Sequence, residues 1–207
     1  MKTICCCLLL PTLLLAQLNK HPMNLKGKWF FGADVGSNNI TSFYASKPEY
    51  DTFQAGVMAE YYYKKKWSVL ARIKYFETGL SYSYYGKYNV FKGAVFAIPI
   101  DLKYEFKLLG SFRIHFQLGL AYNYETKSDY LYNYDANTNN ATQFISINSG
   151  MGLSWYLTKD TAIYGMIDIF NLGGKKGNTS NWIVDSQNYY ANNNLLSIGI
   201  KQHFGGQ

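Results

Sequence analysis

Apolar and polar residues alternate strictly along many short stretches of this chain. Between Phe112 and Tyr124 every second position is apolar or aromatic, and the positions between them carry side chains such as Arg113, His115 and Gln117. A period of two places successive side chains on opposite faces of a β-strand. One face of this strand is therefore apolar and the other polar, which suits lipid on one side and a polar interior on the other.

The same alternation recurs in eight segments, each of which predicts a strand. An open sheet edge would leave backbone groups unsatisfied in hydrocarbon, so strands cross a membrane only as a closed barrel. The pattern predicts an all-β fold, an eight-stranded antiparallel up-and-down transmembrane β-barrel. The predicted strands are residues 29–35, 53–63, 67–75, 96–106, 112–124, 145–155, 162–170 and 196–204.

Short and long connections alternate between these strands. The tight turns are residues 64–66, 107–111 and 156–161, and the long loops are residues 36–52, 76–95, 125–144 and 171–195. Outer-membrane barrels have this arrangement, with short periplasmic turns and long extracellular loops. A soluble barrel such as a lipocalin shares the period of two, but it would not place its apolar residues consistently on one face and its charges on the other. The prediction is therefore a protein of the cell outer membrane.

Aromatic residues at the strand ends support the same register. Those beside the tight turns are Trp29, Tyr61, Tyr63, Trp67, Tyr104, Phe106, Phe112, Trp155 and Phe204, and those beside the long loops are Phe53, Tyr75, Phe96, Tyr122 and Tyr124. Two such girdles mark the two membrane interfaces. Pro99 opposes the pattern, because it has no N–H to donate inside the fourth strand. We expect either a β-bulge there or one locally missing hydrogen bond.

The N-terminus has the features of a secretory signal peptide. Lys2 precedes an apolar run at residues 4–15, and Ala16 is a small residue before the expected cleavage site. An anchored helix is the alternative, but the stretch is short. The predicted organisation is a signal peptide (1–16), a short periplasmic segment (17–28), the barrel (29–204) and a tail (205–207). All three cysteines lie at positions 5–7, so the mature chain is expected to have no disulfide and no Cys-bound metal.

Two strands resemble a known family. Residues 98–106, IPIDLKYEF, resemble the IPLLLKYKF-type strand of the PorT-like outer-membrane β-barrel family of Bacteroidota. Residues 196–204, LSIGIKQHF, resemble that family's LSLGYRF-like C-terminus, and residues 13–17, LLLAQ, are similar to its signal ending. The resemblance implies the barrel fold and insertion by the general barrel-assembly machinery. Outer-membrane barrels commonly end on an aromatic residue that this machinery recognises. Here Phe204 is followed by three further residues, which is a departure from that pattern. A secretion role is known for some relatives, and no residue here carries it over.

The predicted interior contains equal numbers of basic and acidic side chains. The basic residues are Arg72, Lys74, Lys103, Arg113 and Lys201, and the acidic residues are Asp34, Glu60, Asp101, Glu105 and Asp168. An eight-stranded bore is only just wide enough for side chains, so its charges must be paired. The sequence therefore predicts a closed, neutralised lumen, with a small gated channel as the alternative. The expected pairing joins Arg72, Lys74 and Arg113 to Glu60, Asp101 and Glu105.

The remaining basic charge lies at the end with the tight turns. Removal of Lys2 with the signal peptide lowers the net charge from +7 to +6. The basic residues of this rim are Lys20, Lys26, Lys28, Lys64, Lys65, Lys66, Lys107 and Lys159, against Asp160 alone. Basic residues at a membrane edge suit the headgroups of outer-membrane lipids. Nucleic acid is a poor partner for a rim on this side of a membrane.

The sequence predicts no catalytic, cofactor-binding or metal-binding site and no cofactor. A lipid A-modifying enzyme is an alternative, but it needs a hydroxyl, a histidine and a carboxylate near the outer leaflet. The histidines are His21 before the barrel, His203 at the periplasmic end, and His115, expected to bond an acidic residue in the lumen. Surface recognition by the Tyr- and Asn-rich loops at residues 81–85, 129–134 and 171–194 is a further possibility, since tyrosine supplies contact area at low entropic cost.

Overall fold

A computed structural model describes residues 23–42, 52–84, 87–131, 143–171 and 191–205. The predicted signal peptide, residues 1–16, and residues 17–22 of the predicted periplasmic segment lie outside the described residues. Eight strands pair in chain order, all antiparallel, and β1 also pairs with β8, which closes the barrel. The strands are β1 (Trp29–Ser42), β2 (Thr52–Tyr61), β3 (Trp67–Tyr84), β4 (Lys87–Leu109), β5 (Phe112–Leu131), β6 (Gln143–Tyr156), β7 (Thr161–Asn171) and β8 (Ala191–His203).

The alternation of side chains decides which face of each strand turns outward. The outer surface carries large apolar side chains that stay exposed in the isolated chain, for example Val57 (53%), Ile100 (57%) and Ile198 (62%). Their sequence neighbours on the other face are buried inside the barrel, among them Met58 and Asp101. The predicted fold class and the predicted inward and outward faces are confirmed.

Several strands are longer than the alternation of apolar residues predicted. β3 and β4 pair without interruption from Glu77 with Ala94 to Tyr84 with Lys87, so the predicted loop at residues 76–95 is wrong. Residues 36–42 likewise belong to β1, 125–131 to β5 and 191–195 to β8, whereas β2 ends two residues earlier than predicted. Backbone pairing needs no apolar side chain, and tyrosine and serine in alternation serve as well. Polar strand extensions were therefore mistaken for loops.

The structure decides how β4 accommodates Pro99. The β3–β4 ladder has the same register on both sides of it, with Ala71 opposite Ile100 and Lys74 opposite Ala97, and only the pairs between them are missing. The β4–β5 ladder passes through Pro99 without a shift. Of the two expected solutions, the locally missing bond is therefore correct, and there is no bulge at this position.

The three tight turns occur between the predicted strand pairs, but their bounds are residues 62–66, 110–111 and 157–160, since residues 107–109, 156 and 161 belong to strands. The aromatic girdles lie on the predicted outward positions. A two-residue turn joins β4 to β5, and Gly110 adopts a φ of 55° there, a left-handed conformation that glycine adopts without steric cost. Neighbouring strands stack aromatic rings at this end, with Trp29 and Tyr61 4.7 Å apart and Phe112 and Trp155 5.6 Å apart between centroids. None of the predicted girdle residues is buried in the lumen. In the described part of the chain, no helix is long and apolar enough to span a membrane.

Candidate functional site

The bore of the barrel holds a concentration of buried charge. All ten ionisable residues predicted to face inward are buried, and the most exposed of them, Arg113, shows only 9% of its surface. They form two groups along the barrel axis. The central cluster comprises Asp34, Arg72, Lys74, Asp101 and Asp168. The turn-end cluster lies nearer the end of the barrel that carries the tight turns, which we call the turn end, and comprises Glu60, Lys103, Glu105, Arg113 and Lys201.

Arg72 organises the central cluster. Its Nη2 donates to Asp101 Oδ2 on the neighbouring strand, and its Nη1 donates to Asp168 Oδ2 on β7, both at 2.7 Å. The planar guanidinium group presents donors in a fixed fork, so one side chain can hold two carboxylates. Asn148 Nδ2 donates a hydrogen bond to Asp101 Oδ1 at 2.6 Å, and Gln117 Nε2 donates one to Asp168 Oδ1.

Lys74 is the second cation of the central cluster. Its Nζ lies 2.7 Å from Asp34 Oδ1 and 4.0 Å from Asp168 Oδ2, and it also donates to Gln54 Oε1 at 3.2 Å. The Tyr164 hydroxyl donates to the second oxygen of Asp34 at 3.1 Å. Each carboxylate of the central cluster therefore has a cationic partner and a neutral donor, as a buried charge requires.

Two glutamates occupy the centre of the turn-end cluster. Glu60 lies between two lysines, with Lys103 Nζ 2.9 Å from its Oε1 and Lys201 Nζ 2.9 Å from its Oε2. The same lysines approach Glu105 Oε2 at 3.2 and 3.5 Å, and Arg113 Nη1 lies 3.7 Å from Glu105 Oε1. This cluster carries three cations and two carboxylates, whereas the central cluster carries two cations and three carboxylates. Only the lumen as a whole is neutral.

Two tyrosines complete the turn-end cluster. Tyr62 donates to Glu105 Oε2 at 2.8 Å and Tyr156 donates to Glu105 Oε1 at 3.0 Å, and both rings are fully buried. The sequence pattern did not single out these residues, because Tyr62 lies between the predicted girdle residues Tyr61 and Tyr63 and Tyr156 is the first residue of the predicted turn at residues 156–161. The signal was present, since Tyr62 has the same parity as Glu60 in the alternating pattern.

Side chains from opposite walls meet in the middle of the bore. Arg72 on β3 reaches Asp168 on β7, and Lys201 on β8 lies 3.5 Å from Glu105 on β4. The hydroxyl oxygens of Tyr62 and Tyr156, which follow β2 and end β6, are 3.2 Å apart. In a ring of eight strands, each of these three contacts joins strands that are four positions apart. The contacts therefore cross the full width of the lumen at two levels.

The predicted charge balance is confirmed, but part of the predicted pairing is wrong. Arg72 does pair with Asp101, and Arg113 does lie beside Glu105. Glu60 pairs with Lys103 and Lys201 rather than with a member of the predicted set. The alternation fixes the face of each residue but not its height along the axis, which depends on the tilt and stagger of the strands.

Residues 23–28, which we call the N-terminal strap, cover the turn end of the bore. Leu25 is fully buried against Phe30, Tyr62, Tyr156 and Ala162. The strap also makes backbone hydrogen bonds, with the Gly27 N–H donating to the Tyr62 carbonyl at 2.7 Å. This part of the predicted periplasmic segment is therefore packed against the barrel.

An ion pair fastens the end of the strap to the β6–β7 turn. Lys28 Nζ donates to Asp160 Oδ1 at 2.7 Å and to the Lys159 carbonyl at 3.3 Å. The hydrogen bond from Lys28 lowers the pKa of the Asp160 carboxyl below its ordinary value, and the positive charges of Lys28 and Lys159 act in the same direction. Both side chains are partly exposed, so the pair is weaker than those in the lumen.

The histidines are far from a catalytic arrangement in the described residues. His115 is buried in the lumen, with Nδ1 3.4 Å from Ser154 Oγ, so the expected bond to an acidic residue is replaced by contact with a hydroxyl. Ser154 is itself fully buried, so a lipid outside the barrel does not contact this pair. His203 Nδ1 contacts the Trp29 carbonyl at 2.7 Å, and His21 lies outside the described residues. No group of three or more potential metal ligands occurs among the described residues.

Comparison with known proteins identifies the fold. No protein-family model matches the chain, and no curated protein matches it significantly in sequence. The crystal structure of Neisserial surface protein A is similar, with a TM-score of 0.55, 13% sequence identity, and coverage of 85% of this chain and 97% of that chain. The crystal structure of the outer membrane protein OprG from Pseudomonas aeruginosa is also similar, with a TM-score of 0.51, 15% identity, and coverage of 87% and 98%. At these identities the similarity shows the fold and carries over no residue's role.

The class of protein follows from the fold and the surface together. The sheet is closed, so no strand edge is left unpaired, and its outer face is an apolar belt between two aromatic girdles. A closed barrel with such a belt is the form in which strands cross a bilayer. The chain is a small integral outer-membrane β-barrel protein, as the sequence predicted.

Proposed function

We propose that this protein serves a structural or interaction role in the outer membrane, with a closed lumen and no enzymatic activity of its own. The observation that carries the proposal is the set of three contacts across the bore, from Arg72 to Asp168, from Lys201 to Glu105 and from Tyr62 to Tyr156. A small channel would need a continuous water-filled path, and charged side chains joined across the lumen oppose one. The side chains in the interior therefore close the lumen. Interactions with other molecules would then involve the outer surface and the connections between strands.

The proposed orientation puts the tight turns and both termini in the periplasm. An even number of strands brings both ends of the barrel to the same side, where the strap also lies. We propose that residues 1–16 are a removed signal peptide and that the barrel-assembly machinery inserts the mature chain. Membership of the PorT-like family rests on the resemblance at residues 13–17, 98–106 and 196–204, and it remains a prediction.

Recognition of a surface ligand is the interaction role that the chain composition favours. The long strands β3, β4 and β5 extend well beyond Phe96 and Tyr124, which belong to the girdle on the side of the predicted long loops. Of the predicted recognition loops, residues 81–84, 129–131, 171 and 191–194 belong to β3, β5, β7 and β8, whereas residues 85, 132–134 and 172–190 lie outside the described residues. Tyrosine and asparagine at such ends are adaptable contact residues.

Planar-bilayer recording tests the closed lumen directly. The refolded mature chain is expected to show the heat-modifiable gel shift of a folded barrel and no stable single-channel current. A Tyr62→Ala/Tyr156→Ala variant, which removes one contact across the bore, serves as the comparison for an opened turn end. Large, stable currents from the wild-type protein would support the small gated channel instead.

Two further measurements separate recognition from lipid modification. Replacing residues 129–134 by Gly and Ser is expected to abolish binding to a surface ligand while the heat-modifiable shift persists. Deleting the gene is expected to leave the mass spectrum of lipid A unchanged. A lipid A species that disappears in the deletion strain, and also in a His115→Ala variant, would establish the enzyme in place of the interaction role.

A further inference from the structure

Four lysines form an exposed patch at one side of the turn end. Lys64, Lys65 and Lys66 make up most of the β2–β3 turn, and Lys107 lies near the end of the neighbouring strand β4. The Glu105 N–H donates to the Lys66 carbonyl at 2.8 Å, which continues the β3–β4 ladder into the turn and brings Lys107 alongside it. All four side chains are exposed. We call these four residues the lysine patch.

None of the four patch lysines has an acidic partner among the described residues, in contrast to Lys28. Across the barrel, Lys28 is paired with Asp160 at 2.7 Å. In the described part of the chain, no carboxylate lies within 4.0 Å of any of the four patch ammonium groups. Four uncompensated positive charges are thus concentrated on the β2–β3 turn and the adjacent end of β4, where they repel one another unless an anion is present.

The aromatic girdle beside the tight turns indicates how deep the lysine patch lies in the membrane. Lys66 directly precedes Trp67, Lys107 directly follows Phe106, and Tyr104 lies between their rings, 4.8 Å from Trp67 and 5.9 Å from Phe106. Aromatic girdles mark the boundary between hydrocarbon and headgroups. A strand rises about 3.3 Å per residue, and the polar layer of each leaflet is roughly 5–7 Å thick. The patch ammonium groups therefore lie within the headgroup layer.

Two exposed leucines adjoin Lys107 at the end of β4. Leu108 and Leu109 follow Lys107 and are 60% and 70% exposed. Side chains of this kind bury their surface against the glycerol and upper acyl region of a lipid, while neighbouring lysines extend toward the phosphates. The end of β4 thus has apolar and cationic groups within three residues of each other, which matches an amphipathic ligand better than a soluble anion.

We propose that the lysine patch is a binding site for anionic phospholipid headgroups of the periplasmic leaflet. The inference rests on the proposed orientation, which places the tight turns in the periplasm. The site would favour phospholipids with a net negative headgroup, such as phosphatidylglycerol, over zwitterionic ones. It would retain such lipids beside β3 and β4 and hold that sector of the barrel at a fixed depth.

Native mass spectrometry of the full mature chain tests the proposal. The protein is released from detergent in the presence of equal amounts of phosphatidylglycerol and phosphatidylcholine, and the retained lipids are counted. Each lysine near a lipid surface is expected to contribute about fivefold to the preference for the anionic lipid. Four such contributions multiply to about 600-fold, so the Lys64→Gln/Lys65→Gln/Lys66→Gln/Lys107→Gln variant should lose most of that preference, and a loss of less than about tenfold contradicts the proposal.

The matched control removes the same number of positive charges: Lys92 and Lys127 lie on β4 and β5 far from the tight turns, and Lys175 and Lys176 belong to the predicted long loop at residues 171–195. The Lys92→Gln/Lys127→Gln/Lys175→Gln/Lys176→Gln variant should keep the wild-type preference, and raising the salt concentration should weaken it in the wild type. An equal loss in both variants, or no loss in the patch variant, overturns the proposal. So does wild-type binding of inorganic polyphosphate in detergent without any preference among the lipids. The heat-modifiable gel shift reports separately whether each variant is a folded barrel, so failure of the lipid site is distinguishable from failure of the proposed function.

Discussion

The Nη1 atom of Arg72 lies 2.7 Å from the Oδ2 atom of Asp168 on the opposite wall of the barrel. Both side chains are inaccessible to solvent, and the second arm of the same guanidinium group holds Asp101. A buried ion pair of this kind adds little net stability relative to apolar residues, but removing one partner is costly. The pair joins two strands that share no backbone hydrogen bond, so we predict that it contributes to the specificity of the fold rather than to its net stability.

Substitution of Arg72 by methionine should destabilise the barrel strongly. The change leaves Asp101 and Asp168 buried with only the more distant Lys74 as a cation, which should lower the free energy of unfolding by about 3–5 kcal/mol. Urea unfolding in lipid vesicles, followed by tryptophan fluorescence, measures the loss. The matched control is Arg113→Met, whose cation lies 3.7 Å from its partner at the edge of the lumen and should cost much less. Equal losses would contradict the assignment of Arg72 as the central contact.

Glu105→Ala should be among the most damaging single changes at the turn end. The carboxylate accepts hydrogen bonds from Tyr62 and Tyr156 and neutralises Lys103 and Lys201, so its loss leaves buried donors and an excess of positive charge. The expected loss is again about 3–5 kcal/mol in the same unfolding assay. Glu77→Ala, an exposed glutamate on β3, is the control and should change stability by less than about 0.5 kcal/mol. A similarly small loss of unfolding free energy in both variants would mean that the charged network at the turn end does not stabilise the barrel.

Leu25→Ala tests the packing of the N-terminal strap. Leu25 is fully buried among apolar and aromatic side chains, and truncating such a leucine costs about 2–5 kcal/mol. Hydrogen exchange at the Gly27 amide, which bonds the Tyr62 carbonyl, should accelerate because the strap opens more often. Leu157→Ala, at an exposed turn leucine, should leave that exchange rate unchanged. Slow exchange at Gly27 in both variants would show that the backbone hydrogen bonds alone hold the strap.

The ion pair between Lys28 and Asp160 should give the strap a pH dependence at acidic pH. The pKa of Asp160 is lowered in the folded protein, so the pair contributes fully above the ordinary value of 3.8 and is lost as the pH falls through the lower, folded pKa. The contribution is small and screened by salt because both side chains are partly exposed. Titration of the Asp160 carboxyl carbon by NMR should show its pKa rising toward 3.8 in Lys28→Gln. The Lys65→Gln control should leave it unchanged, and an unchanged pKa in Lys28→Gln would exclude the pair in solution.

The sequence alone determined the class of fold, the number of strands, and the face on which each charged residue lies. Those properties depend on the period of two, which is local, and on the rule that a sheet in a membrane must close. Asp34 and Lys201, 167 positions apart, were both placed inside the lumen from local alternation and are both buried. The lengths of β3, β4 and β5 were underestimated, since a strand that extends beyond the membrane has no need of apolar side chains.

Only the tertiary structure decided which charges meet and what seals the turn end. Glu60 pairs with Lys103 and Lys201 because strand stagger sets the height of each residue along the axis, and stagger is a property of the closed sheet rather than of any one strand. The roles of Tyr62 and Tyr156 likewise depend on strands from opposite walls converging within hydrogen-bond distance. The tertiary structure also decided how the strand accommodates Pro99. A missing N–H donor can be accommodated by a β-bulge or by one missing hydrogen bond, and the unchanged β3–β4 register on both sides of Pro99 shows the second.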